Sequence, residues 1–477
     1  MKKFIAAVII AIAAIIVVAP LSMGLFLKNG LDSLIGKFNT KMDRIGGGSV
    51  PFELRLDSYE GGVLGAKSVI LFAFDDVSIG ANLSLVIESE FSYGWYFTGS
   101  FPFVSLVKSR DTVRLNDEML ASGGEELTRI LDKGVLLEGE TRLIPFVFIN
   151  GRYTSKGVNF QEGRNQAIFE PMTIQLDTNF KNSLHLAFNL PLIEIAERNE
   201  KFRLEELSLK ADGNIFDTVG NAESELVIKK IEVGPFLNVD HLLIKSSQKR
   251  QGSVVNALLE ISADTLVGKS YSEDEKLIIL TKPFISVTTN NIDAKTVVDL
   301  NDRLEDIYEQ TAKNQGDQMA LMMKIGEIVA DMVSIFDKGA IIALKIELPI
   351  DGAPVSFSAD LRGDPNVAVP EFRMEKDYFD ELKAKLIEKV IINSELSVHQ
   401  NALDLFSAPV TDLYELEMLQ NQGYIERNGG VWRAKARFEK GQLSVGGKPL
   451  IDWPDQGSGY DDDYNEEYDF ELDEEYD

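Results

Sequence analysis

Apolar and polar residues alternate with a period of two along much of the chain between residues 52 and 293. Successive side chains of a strand point to opposite faces of its sheet, so this alternation predicts strands that bury one face. The clearest examples are residues 52–56, 83–87, 172–176, 184–188 and 226–233. We therefore expect a β-rich region over residues 52–293.

One dipeptide in this region is typical of a tight turn. Asn150-Gly151 stands between the apolar residues 146–149 and the pair Arg152-Tyr153. Asn and Gly both tolerate the positive φ that a two-residue type I′ turn requires. The sequence thus predicts a hairpin centred on Asn150-Gly151.

Near residue 294 the period changes from two to a helical spacing. Apolar residues then recur every three or four positions, and Asp293 is a typical N-cap. A second helical stretch runs over residues 319–336 and is followed by Lys338-Gly339. We predict a helical pair over residues 294–338.

Residues 339–453 are predicted to form a C-terminal α+β region. Residues 340–350 and 355–361 are expected to form a hairpin around Asp351-Gly352, and residues 432–438 and 442–445 a closing hairpin. Helices are expected at 377–390 and 402–420. The predicted fold class is α+β, predominantly antiparallel β-sheet with helical inserts, preceded by one transmembrane helix.

The transmembrane helix is predicted from the N-terminal residues. Lys2 and Lys3 precede an uncharged run over residues 4–27, which is long enough to cross a bilayer as a helix. This run exceeds the apolar region of a cleaved signal peptide and offers no small-x-small site. We expect a cytoplasmic N-terminus at 1–3, an uncleaved anchor at 4–27, a stalk and Gly-rich linker at 28–51, and the body in the periplasm, so that the protein resides in the cell inner membrane.

Charge excludes some partners and characterises the C-terminus. The formal net charge of −28 disfavours nucleic acid, which binds basic surfaces. Residues 455–477 hold twelve acidic residues and no basic one, so 454–477 are predicted to form a solvated, disordered tail. Weak divalent-cation binding by this tail is a second interpretation, although its spacing lacks the EF-hand glycine and closing glutamate.

The sequence predicts no catalytic, cofactor-binding or metal-binding residues. Cysteine is absent, and His185, His241 and His399 lack any metal-ligand spacing or nearby nucleophile motif. Glycine clusters lack phosphate-binding spacing, and they are interpreted as turns. Acidic pairs such as Asp75-Asp76 and Glu205-Glu206 could serve glycoside hydrolysis, which uses two carboxylates. Such pairs are nevertheless expected by chance in a chain with 76 acidic residues.

Several segments resemble the YdgA-like family of Gram-negative bacteria. The most specific are residues 419–425, 429–432 and 438–450, which resemble the family's closing turn and hairpin; residues 285–294 and 59–62 also match. This family is a domain of unknown function anchored in the inner membrane. The resemblance implies an envelope location and a largely β body with helical inserts, and it implies no enzyme activity.

Three functions are compatible with these features. The first is a non-enzymatic envelope protein whose sheet binds a partner, either another envelope protein or a copy of itself. The second is an amphiphile-binding or lipid-transfer protein, suggested by runs such as 68–74 that are apolar on both strand faces. An enzyme acting on envelope polysaccharide is a distant third. A continuous apolar groove open to solvent, rather than a filled core, would favour the second.

Overall fold

The computed structural model describes residues 27–29, 31–32, 35–36, 39, 52–62, 65–76, 81–97, 104–122, 134–144, 148–163, 165–178, 183–197, 200–214, 219–269, 277–300, 303, 328, 335–364, 366–368, 378–405 and 410–452. Most of these residues lie in strands of one 24-stranded sheet, and every strand pairing is antiparallel. The prediction of a predominantly antiparallel β fold with a few helices is confirmed.

The first twelve strands are β1 Phe52–Gly61, β2 Gly65–Asp76, β3 Ala81–Phe97, β4 Val104–Leu115, β5 Val135–Ile144, β6 Phe148–Ser155, β7 Val158–Glu162, β8 Asn165–Phe169, β9 Thr173–Thr178, β10 Ser183–Glu197, β11 Glu200–Asn214 and β12 Ala222–Val233. The remaining strands are β13 Leu237–Gln251, β14 Val254–Ser262, β15 Thr265–Lys269, β16 Leu277–Thr281, β17 Phe284–Asp293, β18 Ile341–Glu347, β19 Val355–Gly363, β20 Val390–His399, β21 Ile425–Asn428, β22 Val431–Glu439, β23 Gln442–Val445 and β24 Lys448–Asp452.

These strands form a long meander with few departures from chain order. Pairing runs from β1 to β6, then through β9 to β14, then β17 to β20, and ends with β22, β23 and β24. Hairpins β7–β8 and β15–β16 and the short β21 pair alongside longer strands. Because most strands pair with their neighbours in the chain, the sheet extends sideways, and each of its two faces crosses many strands.

The helices are short. They are α1 Asp117–Ser122, a 3₁₀ turn Ile335–Lys338, α2 Tyr378–Lys389, α3 Gln400–Leu405 and α4 Val410–Asn421, with further helical residues at 294–300. The N-cap prediction is confirmed, because the Thr296 N–H donates to Asp293 Oδ2 at 3.2 Å. The predicted helix 377–390 corresponds to α2, and the predicted helix 402–420 corresponds to α3 and α4.

An N-terminal helix ties the chain to the first strands. The described residues between 27 and 39 are helical, and Leu27 and Leu31 pack on the buried side chains of Ala66, Phe91 and Val107. Asn39 then pairs with the backbone of Leu54 in edge strand β1, accepting from its N–H at 2.9 Å and donating to its carbonyl at 2.7 Å. The side-chain amide thus replaces a neighbouring strand at this edge.

The Asn150-Gly151 hairpin prediction is wrong. Both residues lie within the continuous strand β6, where Asn150 faces Arg142 and Gly151 faces Thr141 of β5. Neither has positive φ. Glycine suits the strand here because a Cβ at residue 151 would lie 3.1 Å from the Tyr153 ring and 3.3 Å from the Thr141 hydroxyl.

The predicted turn at Asp351-Gly352 is confirmed. Both residues have positive φ, 48° and 80°, and reciprocal backbone hydrogen bonds of 2.8 and 2.9 Å join Ile350 to Ala353. Lys440-Gly441 connects β22 to β23 in the same way, with φ values of 54° and 79°. The closing hairpin prediction is therefore confirmed as well.

Some predictions fall on residues outside the described part of the chain. The anchor at 4–27, apart from Leu27, and the tail at 454–477 lie there, as do most of the predicted helical pair and residues 40–51. Among the helices that the structure does describe, none combines the length and apolarity that crossing a bilayer requires.

Candidate functional site

Ten large apolar side chains form one continuous row across ten neighbouring strands. Directly paired residues of antiparallel strands point to the same face, so the row follows from the register alone. Its members, from β9 to β20, are Ile174, Phe188, Leu209, Leu226, Ile244, Ile261, Ile285, Ile346, Phe357 and Leu396. We call this set the apolar row. Inter-strand steps of about 4.8 Å make it about 43 Å long.

The apolar row is not a filled core. Nine of its side chains are half-buried, and Leu396 is 42% exposed. On one flank runs a shorter parallel set of paired apolar residues, Leu190, Leu207, Ile228 and Leu242. Such a large contiguous apolar surface on a protein marks a site of interaction more often than a passive surface.

The opposite face of the same strands carries charge. Lys245 pairs with Glu225 at 3.3 Å across β12 and β13, and the His185 ring lies 2.7 Å from Asp212 across β10 and β11. These residues alternate with members of the apolar row along their strands. The sheet therefore separates an apolar face from an ionic one.

The apolar row ends at a buried polar cluster. Continuing from Ile174, the next paired positions are Tyr153, Gly139, Asp111, Ser89 and Ser68. We define the polar cluster as Ser68, Ser89, Ser109, Asp111, Thr141 and Tyr153. Of these, Ser68, Ser109 and Asp111 are no more than 5% exposed.

Asp111 is the centre of the polar cluster. Its Oδ2 accepts hydrogen bonds from the hydroxyls of Ser109 at 3.0 Å, Thr141 at 2.9 Å and Tyr153 at 3.1 Å. The Thr141 and Tyr153 hydroxyl oxygens also lie 2.6 Å apart. The buried Ser68 hydroxyl has no hydrogen-bond partner among the residues that the structure describes. Three hydroxyl donors replace the water that a carboxylate would otherwise require.

Tyr153 lies over a glycine on the neighbouring strand. A Cβ at Gly139 would stand 2.2 Å from Cδ1 of Tyr153, so the ring occupies the space that a side chain there would fill. Burial, together with the nearby negative charge of Asp111, raises the pKa of Tyr153 to about 12. The phenol is therefore neutral at physiological pH and serves as a hydrogen-bond donor.

Within the described residues, two groups of helical side chains pack against this side of the sheet. Leu27 and Leu31 of the N-terminal helix cover strands β2 to β4, as described above. Farther along, Val297 and Val298 pack against a small core of Val219, Val255 and Ala294. The side chains of the apolar row themselves are partly exposed.

A second exposed apolar region lies toward the ends of β10, β12 and β16. Ile195, Val233 and Ile278 are 42%, 37% and 37% exposed, and register places them in one row together with Phe202 and Leu237. Phe236 and Leu277, adjacent in sequence to this row, are 56% and 51% exposed. Leu277 precedes Ile278 in β16 and therefore points to the other face of the sheet. We call the remaining four exposed residues, Ile195, Val233, Phe236 and Ile278, the end patch.

The residues weighed for chemistry in the sequence do not come together. His185, His241 and His399 lie on β10, β13 and β20, which are not adjacent. Glu205 and Glu206 pair with different cations, Arg203 and Lys229. No group of three or more potential metal ligands occurs within the described ranges.

Sequence reasoning missed the apolar row and the polar cluster. Alternation identified the strands, but the row requires the register between them. The sequence held one signal for the polar cluster. Ser109 and Asp111 occupy alternate positions with Val107 and Val113, so all four side chains face the same side of the strand. Polar residues at inward positions of a strand can mark a buried site.

Comparison with known proteins gives a family and no function. No curated protein and no solved structure shows a significant match to the chain. A family described as "Bacterial protein of unknown function (DUF945)" matches residues 1–451. The chain therefore belongs to this bacterial family of unknown function.

Proposed function

We propose that this protein is a membrane-anchored envelope protein, of the YdgA-like type, whose apolar row holds the acyl chain of an amphiphile. The observation that carries the proposal is the partial exposure of ten aligned apolar side chains over about 43 Å. An acyl chain laid across them would gain about 0.8 kcal/mol for each buried methylene. The role is non-enzymatic.

Two features support a lipid as the occupant. The uncharged residues 4–27 run directly into the N-terminal helix, which packs on β2 to β4 beside the polar cluster. The polar cluster, on β2 to β6, lies between this helix and the start of the row at β9. The polar cluster then forms the membrane-proximal end of the row, where an acyl chain would stop.

Site-specific photocrosslinking tests the proposal without truncating side chains that support the fold. A benzophenone amino acid is placed at Leu209 and Leu226 in the apolar row. Lys210 and Glu225 serve as matched controls, because each neighbours a row residue and faces the opposite side. We expect lipid adducts, identified by mass spectrometry, at the two row positions alone.

Adducts of equal yield on both faces, or none at Leu209 and Leu226, would refute amphiphile binding by the row. Protein adducts at these two positions in place of lipid would show that the row binds a polypeptide partner.

The proposed location is tested separately. Alkaline phosphatase fused after Asp477 should be active, and a reporter that works only in the cytoplasm should be dark. The reverse pattern would contradict a periplasmic body. Recovery of a peptide from before Leu27 by mass spectrometry of the isolated protein would show that the anchor is retained.

The end patch supports a second candidate function, the binding of a protein partner. Four large apolar residues with exposed fractions between 37% and 56% are more than single, scattered surface hydrophobes. The partner would be another envelope protein or a second copy of this chain. Phe236→Ser should weaken self-association or partner recovery, measured by sedimentation and by co-purification, while Phe236 variants leave lipid crosslinking at Leu226 intact.

A further inference from the structure

The ionic face of the sheet carries a cavity in its C-terminal half. Strands β17 to β20, β22 and β23 frame a space of about 750 Å³. This volume lies within the range of small-molecule sites. The charged and amide side chains that line it are Lys345, Asp360, Asn393, Glu395, Lys435 and Arg437, with serine and threonine hydroxyls beside them.

Register places these groups on the side opposite the apolar row. Lys345 and Glu395 alternate with Ile346 and Leu396, which belong to the row, along β18 and β20. Glu395 faces Ser358 and Lys435, and Asn393 faces Asp360 and Arg437. The cavity therefore shares its strands with the apolar row but not its surface.

Most of the charges in the cavity already have partners. Lys345 pairs with Glu347 and Arg437 with Glu439, each at 2.7 Å. Asp360 Oδ2 accepts from Asn393 Nδ2 at 2.9 Å. These contacts hold three of the lining charges in place.

Glu395 and Lys435 are different. They are direct cross-strand neighbours, a position in which opposite charges usually interact. Yet neither side chain makes a hydrogen bond or ion pair to any residue within the described ranges. An acceptor and a cationic donor, side by side, are thus available to a ligand.

The lining chemistry narrows the ligand class. No aromatic side chain lines this cavity among the described residues, so it offers no platform for stacking a nucleobase. Three cations against two carboxylates are too few for a polyphosphate. Strands β18 to β20 are paired on both sides, so a peptide cannot add to the sheet there.

A hydroxyl-rich ligand fits the charged and amide side chains that line the cavity. It would accept from Lys435, Arg437 and Asn393 and donate to Glu395 and Asp360. Lys435 is the lining cation with no ion-pair partner among the described residues, and an anionic group on the ligand would supply that partner. The six framing strands span about 24 Å, enough for several linked sugars.

We propose that this cavity binds an acidic oligosaccharide, with Lys435 contacting its anionic group and Glu395 accepting from its hydroxyls. The proposal is independent of amphiphile binding, because it uses the other face of the sheet.

Isothermal titration calorimetry of the full-length protein in detergent tests this inference, with tetragalacturonate as the acidic probe and cellotetraose as the neutral one. We expect saturable binding of tetragalacturonate, at least about tenfold weaker binding to K435Q, and several-fold weaker binding to E395Q. The matched control is R433Q, since Arg433 lies on β22 two residues from Lys435, on the same face, and outside the cavity lining.

Circular dichroism establishes that each variant is folded. Absence of saturable tetragalacturonate binding would overturn the proposal. Equal affinity for cellotetraose would also overturn it, because recognition would then not depend on the anionic group. An equal loss of tetragalacturonate affinity in R433Q and K435Q would overturn it too, because binding would then not depend on this cavity. Leu209→Gln, which alters only the apolar row, should leave tetragalacturonate affinity unchanged.

Discussion

The polar cluster gives a quantitative prediction about alkaline stability. Tyr153→Phe removes a hydroxyl that donates to the buried Asp111 carboxylate at 3.1 Å and leaves the ring over Gly139. A hydrogen bond to a charged group contributes about 1.5–3 kcal/mol. Near pH 8 the variant should therefore lose about that much free energy of unfolding.

The cost of this substitution should shrink as pH rises. The pKa of Tyr153 is raised from 10.0 to about 12 in the folded protein, mainly by burial. Between these values the unfolded chain has released the phenolic proton and the folded protein still holds it, so stability falls with rising pH. The contribution is complete below pH 10. At pH 11 the native protein should have lost about 1.4 kcal/mol from this group.

Urea unfolding of the purified full-length protein, followed by circular dichroism at pH 8 and pH 11, measures both the cost of the substitution at pH 8 and its decrease at pH 11. The free-energy gap between native protein and Y153F should narrow by about 1.4 kcal/mol at the higher pH. Tyr414→Phe is the control, because Tyr414 is 72% exposed. A gap that stays constant from pH 8 to pH 11 would show that Tyr153 does not hold its proton more tightly in the folded protein, and the account of the cluster would be wrong.

Three further substitutions probe how the sheet is held together, each measured by chemical denaturation. Lys389→Met should cost about 1.5–3 kcal/mol, because its fully buried ammonium donates to two backbone carbonyls at 2.6 and 3.2 Å. Lys385→Met, at an exposed ion pair, should cost clearly less. Gly139→Ala should cost about 1–3 kcal/mol, since the new methyl would overlap the Tyr153 ring and nearby backbone; no loss would contradict the packing of that ring. Asn39→Ala should cost about 1–2 kcal/mol by removing two hydrogen bonds to β1, and an unchanged midpoint would mean that this edge does not depend on them.

Local patterns predicted the strands and one class of turn, but not every turn. Asp351-Gly352 and Asn150-Gly151 carry the same type I′ signal, and only the first becomes a hairpin. At Asp351 the turn is closed by the hydrogen bonds between Ile350 and Ala353, and the Asp351 N–H donates to the Ile279 carbonyl at 2.8 Å. At Gly151 the strand continues because β6 is paired on both sides and the Tyr153 ring lies beside the glycine. Tertiary packing thus decides between two conformations that the dipeptide alone allows.

The candidate site could not be predicted because it depends on long-range register. Phe188, Leu209 and Leu226 are recognisable in the sequence as inward positions of separate strands. Their alignment into one row depends on each hairpin having the connection length that it has. Asp111 illustrates the same limit: its burial depends on hydroxyls from β5 and β6, up to 42 residues away in the chain.

The alternation of apolar and polar residues along each strand produces two sheet surfaces of opposite character. Along β20, Leu396 belongs to the apolar row and the adjacent Glu395 faces the polar cavity; along β19, Phe357 and Ser358 divide in the same way. A slip of one residue in β20 would place the Glu395 carboxylate in the apolar row and Leu396 in the cavity, at a cost in burying charge. Both proposed sites therefore stabilise the same register. They remain separable by experiment, because a substitution at an even or an odd position of β20 alters one face and leaves the other unchanged.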